Sequence, residues 1–455
     1  MFVQRGSSRS RIALAGALSA GLVFGLSACA DGGDSETSTP GTSLAAIDCS
    51  PYKAFGDIKG KEVTIYTGIV TPEDTPHKES YKPFEQCTGA VIKYEGDKAF
   101  ETQVLIRAEA GNPPDLAFVP QPGLLQRLVA TGKALPAPAE VAANVDKDFG
   151  ADWKAYGTVD GKFYAAPLGA NVKSLVWYSP KEFADNGYTE PTTLAELKAL
   201  TDKMVAAGKK PWCAGINSGE ATGWPMTDWM EDFMLRLSGP ETYDKWVKHE
   251  IPFNGPEATA ALDAVGAYLK NDAYVNGGLG DVKSIASTTF QDAGLPILEG
   301  TCSLHRQASF YAANFTKGTK VAKDGDVYAF YLPGQDATTK PVLGGGEFVV
   351  AFTDRPEVKA FQTYLSSSVW ANAKAKVSSG WVSANKGLDI ANLKNPIDEL
   401  SAKILQDPKA QFRFDGSDMM PAAVGSNAFW KQSTAWITGQ DTKTTLDKIE
   451  SAWPK

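Results

Sequence analysis

From Lys61 onward, short β-branched runs alternate with helical periodicity, and this alternation restricts the fold more than any other feature of the chain. KEVTIYTG (61–68) alternates as a half-buried strand does. His77, Tyr81 and Phe84 then recur at i, i+4, i+7 and Gly89 follows, which marks a helix face with a glycine stop. The pattern continues with AVIKYEG as a strand, AFETQVLIRAEAG as a helix, PPDLAFVPQ as a short buried strand, PGLLQRLVATG as a helix and GKFYAAPLGA as a strand. A second series starts near residue 173. It runs KSLVWYS (strand), TLAELKALTDKMVAAG (helix, capped by Thr193), KPWCAGIN (strand), PMTDWMEDFMLRLSG and PEATAALDAVGAYLKN (helices) and AGLPILEGTC (strand). The tail from residue 396 reads as largely helical. Such alternation implies βαβ units and mostly parallel sheets. About 408 residues follow residue 47, too many for one core, so two α/β lobes are expected.

The N-terminus precedes this pattern. Residues 1–11 carry Arg5, Arg9 and Arg11 and no acid, and IALAGALSAGLVFGLSA (12–28) is apolar and small, the layout of a secretory signal. It ends in Leu-Ser-Ala-Cys, which resembles the bacterial lipoprotein cleavage box. That resemblance implies cleavage before Cys29 and a lipid on its thiol, with residues 29–47 as a flexible tether. Removing residues 1–28 leaves 42 basic against 53 acidic residues, a poor match for nucleic acid or an anionic membrane surface. The protein is thus expected outside the cytoplasmic membrane, held only by its lipid.

Four further cysteines remain, an even number in an exported chain, which suggests two disulfides. Three connectivities are possible; the favoured one is Cys49–Cys87 with Cys213–Cys302, the first bracketing the first strand and helix. Neither G-x-x-x-x-G-K-[ST], G-x-S-x-G nor H-E-x-x-H occurs, and the chain has only three histidines, His77, His249 and His305. A metal centre or a serine triad therefore lacks ligands, and no cofactor is expected. Paired carboxylates for glycoside hydrolysis leave no spacing signature and stay open.

Four stretches resemble the family 1 extracellular solute-binding proteins of ABC importers, the maltose-binding-protein-like family. These are NPPDLAFVPQPGLLQRLVATGKALPAP (112–138), VDGKFYAAPLGANVKSLVWYSPKEF (159–183), VLGGGEFVVAFTDRPEVKAFQTYLSS (342–367) and FDGSDMMPAAVGSNAFW (414–430). Residues 211–253 and CSLHRQASF (302–310) are similar to the α-glucoside-binding branch. The resemblance implies a two-lobed periplasmic-binding-protein-like fold of class II with hinge crossovers. Its N-terminal lobe would comprise 48–170 and 333–380, and its C-terminal lobe 171–332 and 381–455. It also implies a monomer that captures a di- or oligosaccharide such as maltose, trehalose or sucrose by lobe closure and delivers it to the permease subunits.

The residues suit that ligand class, because indoles bury the C–H faces of a sugar while carboxylates, amides and backbone groups bind its hydroxyls. Trp224 and Trp381 stand in Gly/Ser-rich turns, ATGWPMTD and SSGWVSAN, unlike core tryptophans; Trp430 lies on a predicted helix where a core and a stacking role both fit. Gly345 and Gly346 let a backbone approach a ligand beside Glu347, or else simply make a tight crossover turn. Gln121 follows a strand at its carboxyl end, where open α/β sheets bind ligands. Glu220 and Asp228 flank Trp224, and Asn171 lies at the first crossover. His305 and Arg306 follow Cys302, with Arg306 equally suited to pair with a lobe carboxylate. Asp415 and Asp418 lie in FDGSDMMP, where a capping turn is the competing role. Where the maltose-binding protein has an acidic ligand after the third strand, this chain has Pro120, Gln121 and Pro122, so no carboxylate is carried over there. Two rivals remain at this stage: a secreted carbohydrate-active hydrolase and a receptor for another solute such as glycerol phosphate.

Cys29→Ala is expected to release the protein into the medium or leave it as an uncleaved precursor. Lipid labelling checks this, and unchanged labelling of the variant contradicts it.

Overall fold

The computed structural model describes residues 46–71 and 73–454; Cys29, the signal segment and nearly all of the tether lie outside them. The described residues group as one compact unit. Twelve strands are present among the described residues: β1 Glu62–Thr67, β2 Val91–Gly96, β3 Leu116–Val119, β4 Thr158–Val159, β5 Lys162–Phe163, β6 Ala165–Val172, β7 Leu175–Tyr178, β8 Trp212–Cys213, β9 Leu304–Arg306, β10 Tyr328–Tyr331, β11 Lys340–Ala351 and β12 Ala410–Phe414. They form two principal sheets and a small β4–β5 ribbon.

The first sheet has the order β12-β11-β3-β1-β2, with β6 also on β11. Its β1–β2, β1–β3 and β11–β12 pairs are parallel, whereas β11 runs antiparallel to β3 and β6. Helices Asp74–Thr88, Phe100–Glu109 and Pro122–Ala130 occupy the expected places. The first of these ends at Gly89, whose φ of 72° is open to glycine at little cost. The second sheet, β10-β7-β9-β8, departs from the mostly parallel expectation: only β8–β9 is parallel. The reason is connectivity. β7 carries the chain into this lobe and β10 carries it out, so the two neighbours run in opposite directions.

The chain leaves the first sheet between Val172 and Leu175 and returns between Tyr331 and Lys340. Two sequence expectations fail in detail. AGLPILEGTC is not a strand; Pro296–Glu299 is a helical turn, begun by a proline whose fixed φ suits the first helical position, and the strand starts at Leu304. The tail is not wholly helical, because Ala410–Phe414 adds β12 to the first sheet, on β11. Part of the segment 381–455, expected from sequence in the second lobe, thus pairs with the first sheet. Beyond it lie Val424–Phe429, a π-helical turn, and helices Trp430–Ile437 and Thr442–Glu450.

Both expected disulfides are present, with Cα separations of 5.5 Å for Cys49–Cys87 and 5.8 Å for Cys213–Cys302. The second joins β8 to the approach to β9. Gly344 and Gly346 are glycines because β6 and β11 cross so closely. A Cβ on Gly346 would strike the carbonyl oxygen of Gly169, and one on Gly344 the ring of Phe412 and the carbonyl oxygen of Asn171. This close crossing puts the floor of the cleft where the chain passes between sheets.

Candidate functional site

At that crossing lies a two-chambered cleft. The first chamber, about 480 Å³, is lined by Trp224, Trp430, Phe310, Pro120 and the polar side chains of Glu101, Asn171, Lys173, Glu347, Asp415, Ser417 and Asp418. The second, about 440 Å³, shares Asn171, Phe310, Gly346 and Glu347 with the first and adds Trp381, Glu73, Lys374 and the loop 378–380. Trp224, Trp381 and Trp430 are half-buried, whereas Trp177, Trp212, Trp246, Trp370 and Trp436 are buried in the cores. Several lining atoms have no hydrogen-bond partner among the described residues: Asn171 Oδ1, Trp381 Nε1, Trp430 Nε1 and Ser378 Oγ. Unpartnered polar atoms in a cavity wall are costly unless something fills the cavity.

Behind the first chamber sits a buried lattice of charge. Lys173, in the two-residue link between β6 and β7, donates to Asp228 Oδ1 at 3.0 Å and to Asp415. Asp228 also accepts from Arg306 at 3.1 Å, and Arg306 donates to Asp232 at 2.9 and 2.5 Å. Asp232 in turn accepts from Arg236 at 2.5 Å and from Ser174 at 2.6 Å. Asp228, Glu231, Asp232 and Arg236 come from one long helix, Trp224–Val247, which breaks at Gly239. Spacings of four residues put Asp228, Asp232 and Arg236 on one face. Three cations thus meet three carboxylates, all buried. Glu231, on the adjoining face, accepts the N–H groups of Gly416 and Ser417 at 2.7 and 3.0 Å.

The electrostatics follow from burial. Burial is the largest influence on Lys173 and opposes its charge, yet Asp228 and Asp415 outweigh it and hold the ammonium well above its usual range. Burial pushes Asp228 up to about 6 against the pull of Lys173 and Arg306. Burial also raises Asp415, but Lys173 overcomes it and keeps this carboxylate ionised. Burial and then the charge of Asp415 drive Asp418 well above the carboxylate range. In the second chamber burial lifts Glu347 to about 7 and lowers Lys374 to about 7.

The residues singled out from sequence divide into three groups. Asn171, Trp224, Gly345, Gly346, Glu347, Asp415, Asp418 and Trp430 line the first chamber, and Trp381 lines the second. Gln121 immediately precedes the helix Pro122–Ala130 beside Pro120, with its amide 3.4 Å from Glu101, at the edge of the cleft. Four others lie outside the lining. Glu220 is exposed in a short turn, Gly219–Ala221, which turns it to solvent although it is close to Trp224 in sequence. Asp228 and Arg306 are consumed by the lattice. His305 is buried on β9 with Nδ1 2.9 Å from the Cys213 carbonyl, and burial lowers it to about 4, so it is a neutral core histidine. Sequence reasoning passed over Lys173, Glu101, Phe310, Ser417, Glu73 and Lys374. Lys173 had a signal, as the single cation in the apolar run AAPLGANVKSLVWY.

Comparison with known proteins agrees with this architecture. A family model, bacterial extracellular solute-binding protein, matches residues 63–372. The alpha-glucosides-binding periplasmic protein AglE of Rhizobium meliloti is 38% identical over 414 residues, which cover 88% of this chain and 89% of that one. The osmoprotective compounds-binding protein GgtB of Synechocystis sp. is 38% identical over 420 residues, 90% of this chain and 97% of that one. Among solved structures, the bacterial solute receptor AcbH has a TM-score of 0.71 at 20% identity, covering 86% of this chain and 98% of that chain. Apo RafE from Streptococcus pneumoniae has a TM-score of 0.69 at 15% identity, covering 86% and 97%. The chain belongs to the bacterial extracellular solute-binding proteins and has their two-lobed fold. It is a solute-binding protein of an ABC importer, with a small-molecule ligand and a permease partner, and not a hydrolase. No described helix is long and apolar enough to cross a membrane.

Lys173→Met strands Asp415 in a buried site and leaves Asp228 with Arg306 alone. We expect a loss of roughly 3–5 kcal/mol in stability by denaturant titration, shrinking as the pH falls and the carboxylates take up protons. A variant within 1 kcal/mol of wild type, on the order of a surface pair, contradicts the lattice.

Proposed function

We propose that the protein captures a neutral α-glucoside of two or more rings in this cleft, closes its lobes around it and hands it to the permease. One observation carries the reading: the cleft offers three half-buried indoles and unpartnered polar atoms, while the first chamber's single lysine is already held by two carboxylates. An indole face suits the C–H face of a sugar, and the free oxygens and N–H groups suit hydroxyls. An anion such as glycerol phosphate would find no uncommitted cation in the first chamber. Similarity to AglE supports an α-glucoside. Similarity to GgtB favours a second reading, an osmoprotective compound; an uncharged, hydroxyl-rich osmoprotectant would use the same groups.

Lobe closure would bring together groups that the crossovers already hold at the floor, and the permease would recognise the closed form. The ligand contacts we assign are Asn171, Trp224, Glu347, Trp381, Asp415, Asp418 and Trp430, with Gln121 at the edge. We further propose that the protein acts as a monomer anchored through lipidated Cys29.

Truncating Trp224 removes the indole that lines the first chamber against Phe290 and Phe310, at ring separations of 5.0 and 6.2 Å. For a glucoside that stabilises the wild-type protein in a thermal-shift screen, Trp224→Ala should cost about 2 kcal/mol of binding, near thirtyfold in Kd. Calorimetric titration of the folded variant decides this. An unchanged Kd with a lowered melting temperature makes Trp224 a core residue.

A further inference from the structure

The second chamber depends on a loop that is not itself part of a helix or sheet. After the helix Ser368–Val377 the chain runs through Ser378, Ser379, Gly380 and Trp381, all lining this chamber, to Val382. Besides the Ser378 N–H on the Lys374 carbonyl at 2.9 Å and the Asn395 amide 3.4 Å from Ser379 Oγ, two contacts hold its far half. The Val382 carbonyl accepts the Ala170 N–H at 2.8 Å, which pins the loop to β6 beside Asn171. The Gly380 N–H, at a φ of 81°, donates to Asp398 Oδ2 at 2.7 Å.

Asp398 is an unusual residue to find there. It lies in the first turn of the helix Pro396–Leu405, yet Asn395 caps that helix by accepting the Ile397 N–H at 2.9 Å. Asp398 is only 3% exposed and has no salt-bridge partner among the described residues. A buried carboxylate without a cation is costly unless it is hydrogen-bonded. Its observed hydrogen bond goes to the turn next to Trp381.

That turn fixes the indole closely. Trp381 meets Trp370 edge-on at 5.4 Å, and the Lys374 ammonium stands 5.8 Å from its ring centre. Its Nε1 lies so near Gly169 that a Cβ there would come within 2.9 Å of it. The same Nε1 is buried and unpartnered, as is Ser378 Oγ. Both are donors without acceptors at the wall of a chamber continuous with the first.

We propose that Asp398 is a positioning residue: it holds the Trp381 loop so that the indole and its unpaired N–H form a platform for the second ring of the ligand. This rests on the glucoside reading above. Asp398 touches no ligand and acts through Gly380 on Trp381, so its effect on binding should vanish once the indole is gone.

A double-mutant cycle tests it by calorimetric titration with whichever of maltose, trehalose and sucrose the wild-type protein binds. Asp398→Ala and Trp381→Ala should each raise Kd about tenfold, and the double variant should bind no more weakly than Trp381→Ala. Asp398→Asn keeps an oxygen for the Gly380 N–H and should stay within about threefold of wild type, and a tenfold loss in it overturns the hydrogen-bond role; if the alanine variant does not fold, Asp398→Leu, which fills the space without an acceptor, replaces it in the cycle. Additive losses, or an unchanged Kd in Asp398→Ala, overturn the proposal, as does an unchanged Kd in Trp381→Ala. Failure of the wild-type protein to bind any of the three sugars overturns the glucoside reading and this inference with it.

Discussion

Lys173 is the point on which the molecule's geometry converges. Its ammonium, in the link between β6 and β7, joins Asp228 of the helix Trp224–Val247 to Asp415, the residue that follows β12. Ser174, the next residue, donates to Asp232 and accepts the Leu343 N–H at 2.8 Å, which ties the first crossing to β11. Arg236 completes the set by donating to the carbonyls of Leu332 and Pro333 on the return crossing and of Pro341 at the start of β11. Both passages between the sheets and the end of β12 therefore share one buried network of charge. Such a network is a weak source of net stability but a severe constraint, since removing one member leaves another charge buried and unpaired. The constraint fixes where the crossovers stand, and hence the floor of the cleft.

The same network sets the cleft's chemistry. In the first chamber it uses the cation that an anionic ligand would need and leaves the rest of that lining acidic or neutral. Burial, and after it the neighbouring ionised Asp415, drives Asp418 toward its protonated form, in which it can donate a hydrogen bond as well as accept one. Glu347 sits between the two chambers with its carboxyl raised to about 7, and Lys374 faces it across the second. A ligand with many hydroxyls can satisfy both kinds of group, because each hydroxyl donates and accepts. The indoles at Trp224, Trp430 and Trp381 add apolar faces at separate points along the cleft, which suits a ligand of more than one ring.

How much of this was legible beforehand depended on whether the signal was local. The helix Asp74–Thr88 announced itself by i, i+4, i+7 spacing and a glycine stop, and Thr193 was visible as a cap that accepts the Glu196 N–H. Trp224 and Trp381 were legible because a tryptophan in a glycine-rich turn is out of place in a core. β12 was not, since Ala410–Phe414 becomes a strand only through its pairing with β11, some seventy residues earlier in the chain. Asp228 and Arg306 looked like ligand groups because nothing in their spacing revealed that they face each other across 78 residues. Lys173 was missed for the complementary reason: its two partners come from segments 55 and 242 residues away. Asp398 likewise had no local mark, because its partner is a backbone N–H on another loop.

The account turns on Lys173 being already neutralised, and the most direct measurement is calorimetric titration of the wild-type protein at low and high ionic strength. An uncharged α-glucoside and glycerol 3-phosphate are the two ligands to compare. The account predicts saturable one-to-one binding of the sugar with a Kd that salt does not change, and no binding of the anion. Saturable binding of glycerol 3-phosphate that weakens as salt rises, and that persists in Lys374→Met, would show an uncommitted cation in the first chamber and contradict it.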